Sequence, residues 1–309
     1  MNDIYTWPND LYPLIKKRFD LRYGKRLDLI DAVCETVTQD EIEYKLEGVS
    51  GFGVIPEYNG EYLSVGEQKR GFVTTITPKE HALSVPLSYK RAKVDLSGEA
   101  AKIGTRLADS AYMTVLADFY NVFGDAFTKN GFDGVPWAST KHPVNSSEDS
   151  ETFSNLINGT LSVASILEAQ KLASTFTTPD GLPFIGNYDL LLVSPELEGK
   201  AKEICGANAK LCPEKNPDAD AGVNAANPVY GMKYMVVGAG TKGFTGGMWA
   251  IADSMLLREI FKLIYISKPT VLVARQDNPL VTDYVAYVDY AFGYADARPI
   301  IFSDPDAAL

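Results

Sequence analysis

The sequence predicts an α+β fold, and three observations carry that prediction. One apolar stripe runs from Ser97 to Thr128 at three- and four-residue steps, far longer than an ordinary globular helix. Short alternating runs, rich in β-branched and aromatic residues, gather in Glu41–Lys93 and again in Phe261–Phe302. Helices and strands do not alternate regularly and no internal repeat is evident, which disfavours a doubly wound sheet.

Composition narrows the class further. At 309 residues, 46% hydrophobic and 22% charged, the chain suits about two globular domains. It lacks a run of ~18 apolar residues, so no membrane span is expected. The opening "MNDIYTWPNDLYPLIKKRF" places acids and a proline where a signal peptide needs an apolar core, which predicts a protein made and kept in a cytoplasm. A net charge of −11 argues against a dedicated nucleic-acid binder, because phosphate contacts drive that affinity. Cys34, Cys205 and Cys212 are too few for a disulfide framework.

From the N-terminus, residues 10–27 concentrate Lys16, Lys17, Arg18, Arg22, Lys25 and Arg26 in an otherwise acidic chain. Two readings stand: a solvated helix face paired with acids elsewhere, or an arm that docks on an acidic neighbour or a polyanion. Residues 41–93 read as short strands, "EIEYKLEGV", "GFGVIPEY", "EYLSVGEQ", "GFVTTITP" and "ALSVPLSYKRAKV", with turns such as Tyr58-Asn59-Gly60-Glu61. These carry too few apolar residues for burial on both faces and predict long hairpins that need a partner surface.

The helix over 97–128 follows, with Ser97 as its cap and Asn130-Gly131 as its stop. At ~1.5 Å per residue it spans about 45–50 Å, and its small-residue stripe suits packing on a sheet. Residues 131–160 read as a polar loop region. Ser162 to Phe176 predicts a second helix, with Ala164, Leu167, Leu172 and Phe176 among its apolar positions. In "YDLLLVSPELEGKAKEI" a saturated apolar strand meets a helix whose first turn holds Pro195. A polar loop over 206–227 leads to strands in "PVYGMKYMVV" and "GMWAIADS". Two long strand-like stretches, "FKLIYISKPTVLVA" and "TDYVAYVDYAFGYADARPIIF", close the chain.

No chemistry-bearing motif assembles. Gly238-Ala239-Gly240-Thr241-Lys242-Gly243 matches G-x-G-x-x-G, but Phe244-Thr245-Gly246-Gly247 is a poor helix start, and a dinucleotide needs that helix N-terminus. A glycine-rich hairpin fits better. Asp218 to Gly222 lacks the downstream glutamate of a calcium loop. Ser194 has no G-x-S-x-G context, and no histidine stands near Cys205 and Cys212 to complete a zinc site. Histidine is limited to His81 and His142, and His142 in "WASTKHPVN" reads as structural or solvated. No cofactor is expected, and a structural or assembly protein fits better than an enzyme.

Several stretches, in order, resemble one family. "GVPWASTKHPVN" followed by "ETFSNLINGTLSVASILEAQKLASTFTTPDGLPF" is similar to the central region of Mu-like major head subunits. "YDLLLVSPELEGKAKEI", "NPVYGMKYMVV" and "MWAIADS" resemble that family's later strands and its P-x-L-E-x-x-A helix. The resemblance spans roughly Asp95 to Phe302 and is to tailed-bacteriophage major capsid proteins of the HK97-like fold.

That resemblance implies an N-terminal arm (1–38), an extended loop (39–92), a peripheral domain (93–160 and 257–309) with its spine helix at 97–128, and an apical domain (161–256). It implies a shell of pentamers and hexamers around double-stranded DNA, assembled in a host cytoplasm with portal and scaffolding proteins, some members adding decoration or cement proteins. Inter-subunit contacts are expected at Lys16, Lys17, Arg18 and Arg22 of the arm, and at Tyr58, Tyr62, Lys69, Arg70 and Phe72 of the loop. With no long helical segment before the arm, a separate scaffold is expected. Nothing marks Lys69, Lys79 or Lys90 as a cross-linker, so no covalent cross-link is expected. The alternatives are an encapsulin-type compartment of the same fold and, from another class, a nucleotide-dependent enzyme using Gly238–Gly243.

Overall fold

The computed structural model describes residues 6–24, 28–49, 58, 70–94, 96–146, 150–206, 209–211, 226–275 and 278–306. In chain order, the first elements are α1 (Trp7–Tyr23), α2 (Asp28–Asp31), β1 (Glu35–Thr38), β2 (Tyr44–Val49), β3 (Arg70–Ile76) and β4 (Lys79–Ser88). Next come α3 (Tyr89–Val94), α4 (Leu96–Gly124), β5 (His142–Pro143), β6 (Thr152–Phe153), β7 (Leu156–Ile157) and α5 (Val163–Ala173). Then follow β8 (Leu190–Val193), α6 (Glu198–Cys205), β9 (Lys233–Val236), β10 (Gly238–Ala239), β11 (Lys242–Gly243) and β12 (Trp249–Ala252). The chain closes with α7 (Ser254–Ile260), β13 (Phe261–Arg275), β14 (Val281–Tyr294) and β15 (Ile300–Ser303).

Two compact units emerge. The first comprises 1–44, 76–119 and 262–293, and the second 45–75, 120–261 and 294–309.

In the first unit, strands are ordered β1-β13-β14-β4, with β1 parallel to β13 and β14 antiparallel to β4. Period-two alternation places Tyr284, Ala286, Val288 and Tyr290 on the buried face of β14. Against that face packs α1, whose buried row Trp7, Leu11, Ile15, Phe19 and Tyr23 recurs every four residues. The row is tied by polar tips: Trp7 Nε1 donates to Pro279 O at 3.2 Å, Tyr12 Oη to Val271 O at 3.0 Å, and Tyr284 Oη to Pro8 O at 3.1 Å. The same core takes Ile103, Leu107, Ala108 and Ala111 from α4. Gly104 sets how closely α1 and α4 approach, since a Cβ there would stand 2.4 Å from Ile15 O.

In the second unit, a five-stranded mixed sheet is ordered β7-β15-β12-β8-β9. Strand β8 lies between antiparallel β12 and parallel β9, and each of Leu190, Leu191, Leu192 and Val193 is buried. Burial on both faces is why this strand reads as an unbroken apolar run, each side chain contributing about 1.5–3 kcal/mol. Leu191, Val193, Trp249, Ile251 and Ile301 pack with α5 and α6 in one cluster. Ser162 caps α5, its Oγ accepting from Ser165 N at 3.0 Å while Ser165 Oγ accepts from Ser162 N at 2.9 Å. After Ser194, Pro195 opens a 3₁₀ turn, Pro195–Leu197, that leads into α6.

Several sequence expectations shift. The long helix begins at Leu96 and ends at Gly124, a 3₁₀ turn over Asp125–Phe127 replacing its last turn. The side chain of Ser97, the expected cap, lies outside the described residues. Residues after Ser88 leave the strand for α3, because "YKRAKV" no longer alternates. The closing stretch is two strands, β14 and β15, in different sheets. On α5 the buried face is Val163, Ile166, Ala169 and Ala173, so Ala164 and Leu167 face solvent instead. The turn at Asn59–Glu61 and the loop Asp218–Gly222 lie outside the described residues.

Candidate assembly surfaces

Lys16, Lys17 and Arg18 are exposed on α1, Arg18 at the edge of its buried row beside Gly104 of α4. One turn on, Arg22 meets Asp109 of α4, Nε to Oδ1 at 2.8 Å and Nη2 to Oδ2 at 3.3 Å. The carboxylate holds the guanidinium proton more tightly than usual, through its hydrogen bonds first and its charge second. The reading of a solvated helix face paired with acids elsewhere is met by Arg22, which pairs inside the unit, and by the earlier cations, which face outward.

The extended-loop candidates fall in different places. Phe72, on β3, packs edge-to-face on Phe132 with ring centroids 5.6 Å apart. Tyr58 is exposed. Arg70 begins β3, but its side chain is outside the described residues, as are Tyr62 and Lys69 entirely. Lys16, Lys17, Arg18 and Arg22 belong to the first unit, and Tyr58 and Phe72 to the second.

His142 is fully buried, where the sequence suggested a polar loop. Its Nδ1 stands 2.5 Å from Asp133 Oδ2, and its Nε2 lies 3.1 Å from both Trp137 O and Asn155 Oδ1. Both neighbours of Nε2 are acceptors, because Asn155 Nδ2 donates to Trp137 O at 2.8 Å and to Ala297 O and Ile300 O at 3.3 Å. Nε2 thus carries a hydrogen, and Nδ1 faces the Asp133 carboxyl. With the rings of Phe132 and Phe153 alongside, no face of the imidazole is open to a substrate. The cluster is a clamp: it closes the segment between Gly131 and Asn155 onto the end of the five-stranded sheet.

Arg298 extends the clamp, a residue no motif flagged. Its buried guanidinium donates to Thr177 O at 2.8 Å, Val144 O at 2.8 Å and both oxygens of Asp296, and sits 4.9 Å from the Phe153 ring centre.

The remaining corners are structural. Ser194 Oγ donates to Gly246 O at 2.7 Å, so the strand-to-helix junction presents no free hydroxyl. Gly238–Gly243 folds as an antiparallel hairpin of β10 and β11, in place of a strand-to-helix phosphate loop. Gly243 has φ +84°, and a Cβ there would stand 2.6 Å from Gly238 Cα, so glycine is required by both conformation and space. Burial pushes the Cys205 thiol up to about 11, which leaves it protonated and inert at neutral pH. Among the described residues, no three His, Cys, Asp or Glu side chains are grouped to hold a metal, and no helix is long and apolar enough to cross a membrane.

A long helix and long paired strands in one unit, with a covered mixed sheet in the other, define an HK97-like shell subunit. Similar solved structures share this fold. The "Capsid of native GTA particle computed with C5 symmetry" aligns over 89% of this chain and 89% of its own at 10% identity, TM-score 0.52. The "Procapsid of bacteriophage JBD30 computed in I4 symmetry" aligns over 97% of this chain and 76% of its own at 12% identity, TM-score 0.53. The virus-like particle from Pyrococcus furiosus aligns over 95% and 99% at 8% identity, TM-score 0.53. At these identities the likeness carries the fold alone. No curated protein sequence matches the chain. The sequence profile of the family described as "Phage capsid protein" matches residues 72–303, most of the chain, and the chain belongs to that family.

Proposed function

We propose that the chain is the major subunit of the icosahedral head of a tailed phage, closing as pentamers and hexamers around packaged double-stranded DNA. The observation that carries this is the family match over 72–303, joined to a fold of the same kind over 89% of the chain. Residues 1–38 form the arm, 39–92 the extended loop, 93–160 and 257–309 the peripheral domain, and 161–256 the apical domain around each capsomer centre. The clamp of His142, Asn155 and Arg298 gives the second unit rigidity, which a shell needs because each contact is repeated in every copy. Portal and scaffolding proteins complete the assembly, and decoration proteins are optional additions.

A net charge of −11 supports an acidic inner wall that repels DNA without regard to sequence and keeps it mobile for ejection. The family match favours a genome shell over a cargo compartment of the encapsulin kind. Nuclease treatment of purified particles, followed by analysis of their contents, separates these readings. Protected double-stranded DNA supports the phage head, whereas a co-purifying enzyme in place of nucleic acid overturns it. A strongly basic lumen in the assembled shell would remove the repulsion argument.

A further inference from the structure

Strands β14 and β4 set two carboxylates against each other. Their antiparallel register pairs Asp289 with Glu80, which puts both side chains on the face of the sheet away from Tyr284, Ala286, Val288 and Tyr290. Residues directly opposite in a ladder stand about 4.5–5.5 Å apart at Cβ, and like charges there are destabilising. Asp289 is only 7% exposed, and its Oδ1 is sealed from solvent with no hydrogen-bond partner among the described residues. Glu80 is exposed, and its Oε1 accepts from Tyr287 Oη, on the same face, at 2.9 Å.

A buried carboxylate with neither donor nor counter-charge is costly. Among the described residues, neither Asp289 nor Glu80 has an ion pair. Burial first and the Glu80 charge second raise the Asp289 carboxyl, while His81 acts in the opposite sense. That imidazole does not bridge the two acids, because it lies on the other face of β4, where its ring stacks on Tyr290 with centroids 5.0 Å apart. Two facing carboxylates are reconciled by a shared proton or by a bound cation. The exposure of Glu80 favours the cation, since water then reaches the pair to complete an ion's shell. The donors are oxygen throughout, which suits a hard cation.

We infer that Asp289 and Glu80 together hold one divalent cation, calcium or magnesium, across β14 and β4, with water completing its shell. Two carboxylates and water make a weak site, with Kd on the order of 10⁻⁴–10⁻³ M. Tyr287 positions Glu80, its hydroxyl engaging Oε1 and leaving Oε2 for the ion. Because β4 is the edge strand of its sheet, the ion fastens that edge near the start of the strand. The inference concerns a single subunit and does not depend on shell closure.

The test uses the full-length chain as unassembled subunits at neutral pH, stripped with a chelator. These are titrated with calcium chloride, magnesium chloride or, at matched ionic strength, sodium chloride. Isothermal titration counts the ions, and thermal unfolding reads the stabilisation. At about ten times Kd the bound divalent ion raises the melting point by several degrees, and sodium does not. Glu80→Gln keeps an oxygen for Tyr287 but removes the charge. Both Glu80→Gln and Asp289→Asn lose the rise and bind one ion fewer. In chelator Asp289→Asn melts above the unsubstituted chain, and the cation closes that gap by stabilising the unsubstituted chain alone. A rise of the same size in either variant places the ion elsewhere and overturns the inference. So does an equal response to sodium, which is plain charge screening. An unsubstituted chain indifferent to both divalent ions, whose melting point climbs only as pH falls, also overturns it and assigns the pair a shared proton. Should Asp289→Asn fail to fold, the exposed Glu80→Gln decides alone.

Discussion

Replacing Gly104 by alanine pits two effects of opposite sign against each other. Alanine in a helix interior is favoured over glycine by about 0.8–1.0 kcal/mol, so propensity alone predicts stabilisation. At Gly104, however, the new Cβ would lie 2.4 Å from the backbone oxygen of Ile15. A carbonyl oxygen on a helix has no rotamer in which to step aside, so α1 must retreat from α4 by roughly 1 Å to reach ordinary contact. Overpacking of this kind costs about 1–3 kcal/mol. The retreat also loosens Ile15 and Phe19 against Leu107, Ala108 and Ala111. The net expectation is a loss of about 1–2 kcal/mol, a melting point lowered by several degrees at roughly 2–4 °C per kcal/mol. Gly199 of α6 supplies the control, because a Cβ there meets nothing within 4 Å. Gly199→Ala is expected to stabilise by up to about 1 kcal/mol. Thermal and urea unfolding of unassembled subunits measures both. Gly104→Ala stabilising the chain as Gly199→Ala does would refute the packing argument.

Other consequences are as direct. Asn155→Ala removes one hydrogen bond from each of three carbonyls and one from Ser139 N, and is expected to cost about 3 kcal/mol or more in urea unfolding; a loss under about 1 kcal/mol would contradict the clamp. Asp289 stands directly across from Glu80 on β4, and burial, then the Glu80 charge, raise its carboxyl above the ordinary 3.8. A raised folded value means stability is fully present below 3.8 and falls as pH rises through the folded value. Asp289→Asn is therefore expected to raise the melting point at pH 7 and to lose that advantage below pH 3.8, and an advantage independent of pH would refute it. In a Cys212→Ser variant, Cys34 and Cys205, both buried, are expected to react with a thiol reagent only on unfolding; rapid native labelling would contradict their burial.

Much of the fold was legible because burial leaves periodic marks. The apolar stripe of α4, the alternation of β14 and the saturated β8 each show their partners' geometry in the sequence. The helix after Ser162 and the Gly238–Gly243 hairpin were legible for the same local reasons, although the Ser162 cap itself was not read. Less was readable where local pattern is silent. Strand order in the five-stranded sheet depends on contacts between residues 156 and 303 that no periodicity encodes. His142, Asn155 and Arg298 lie in polar-looking sequence, yet they are buried because each finds carbonyl or carboxylate partners in distant segments. Polar composition signals exposure only when those partners are missing. The basic segment was visible, but its division into a paired Arg22 and an outward-facing Arg18 depends on the α1–α4 crossing at Gly104. That crossing was not legible, since a glycine on a helix stripe reads simply as a small residue.

Electron microscopy of the purified full-length protein tests the central claim most directly. The account predicts closed icosahedral shells, or the pentamers and hexamers from which they are built, with one long helix and a pair of long strands resolved in every subunit. A uniform population of monomers, dimers or tetramers with no capsomer-sized rings would contradict it.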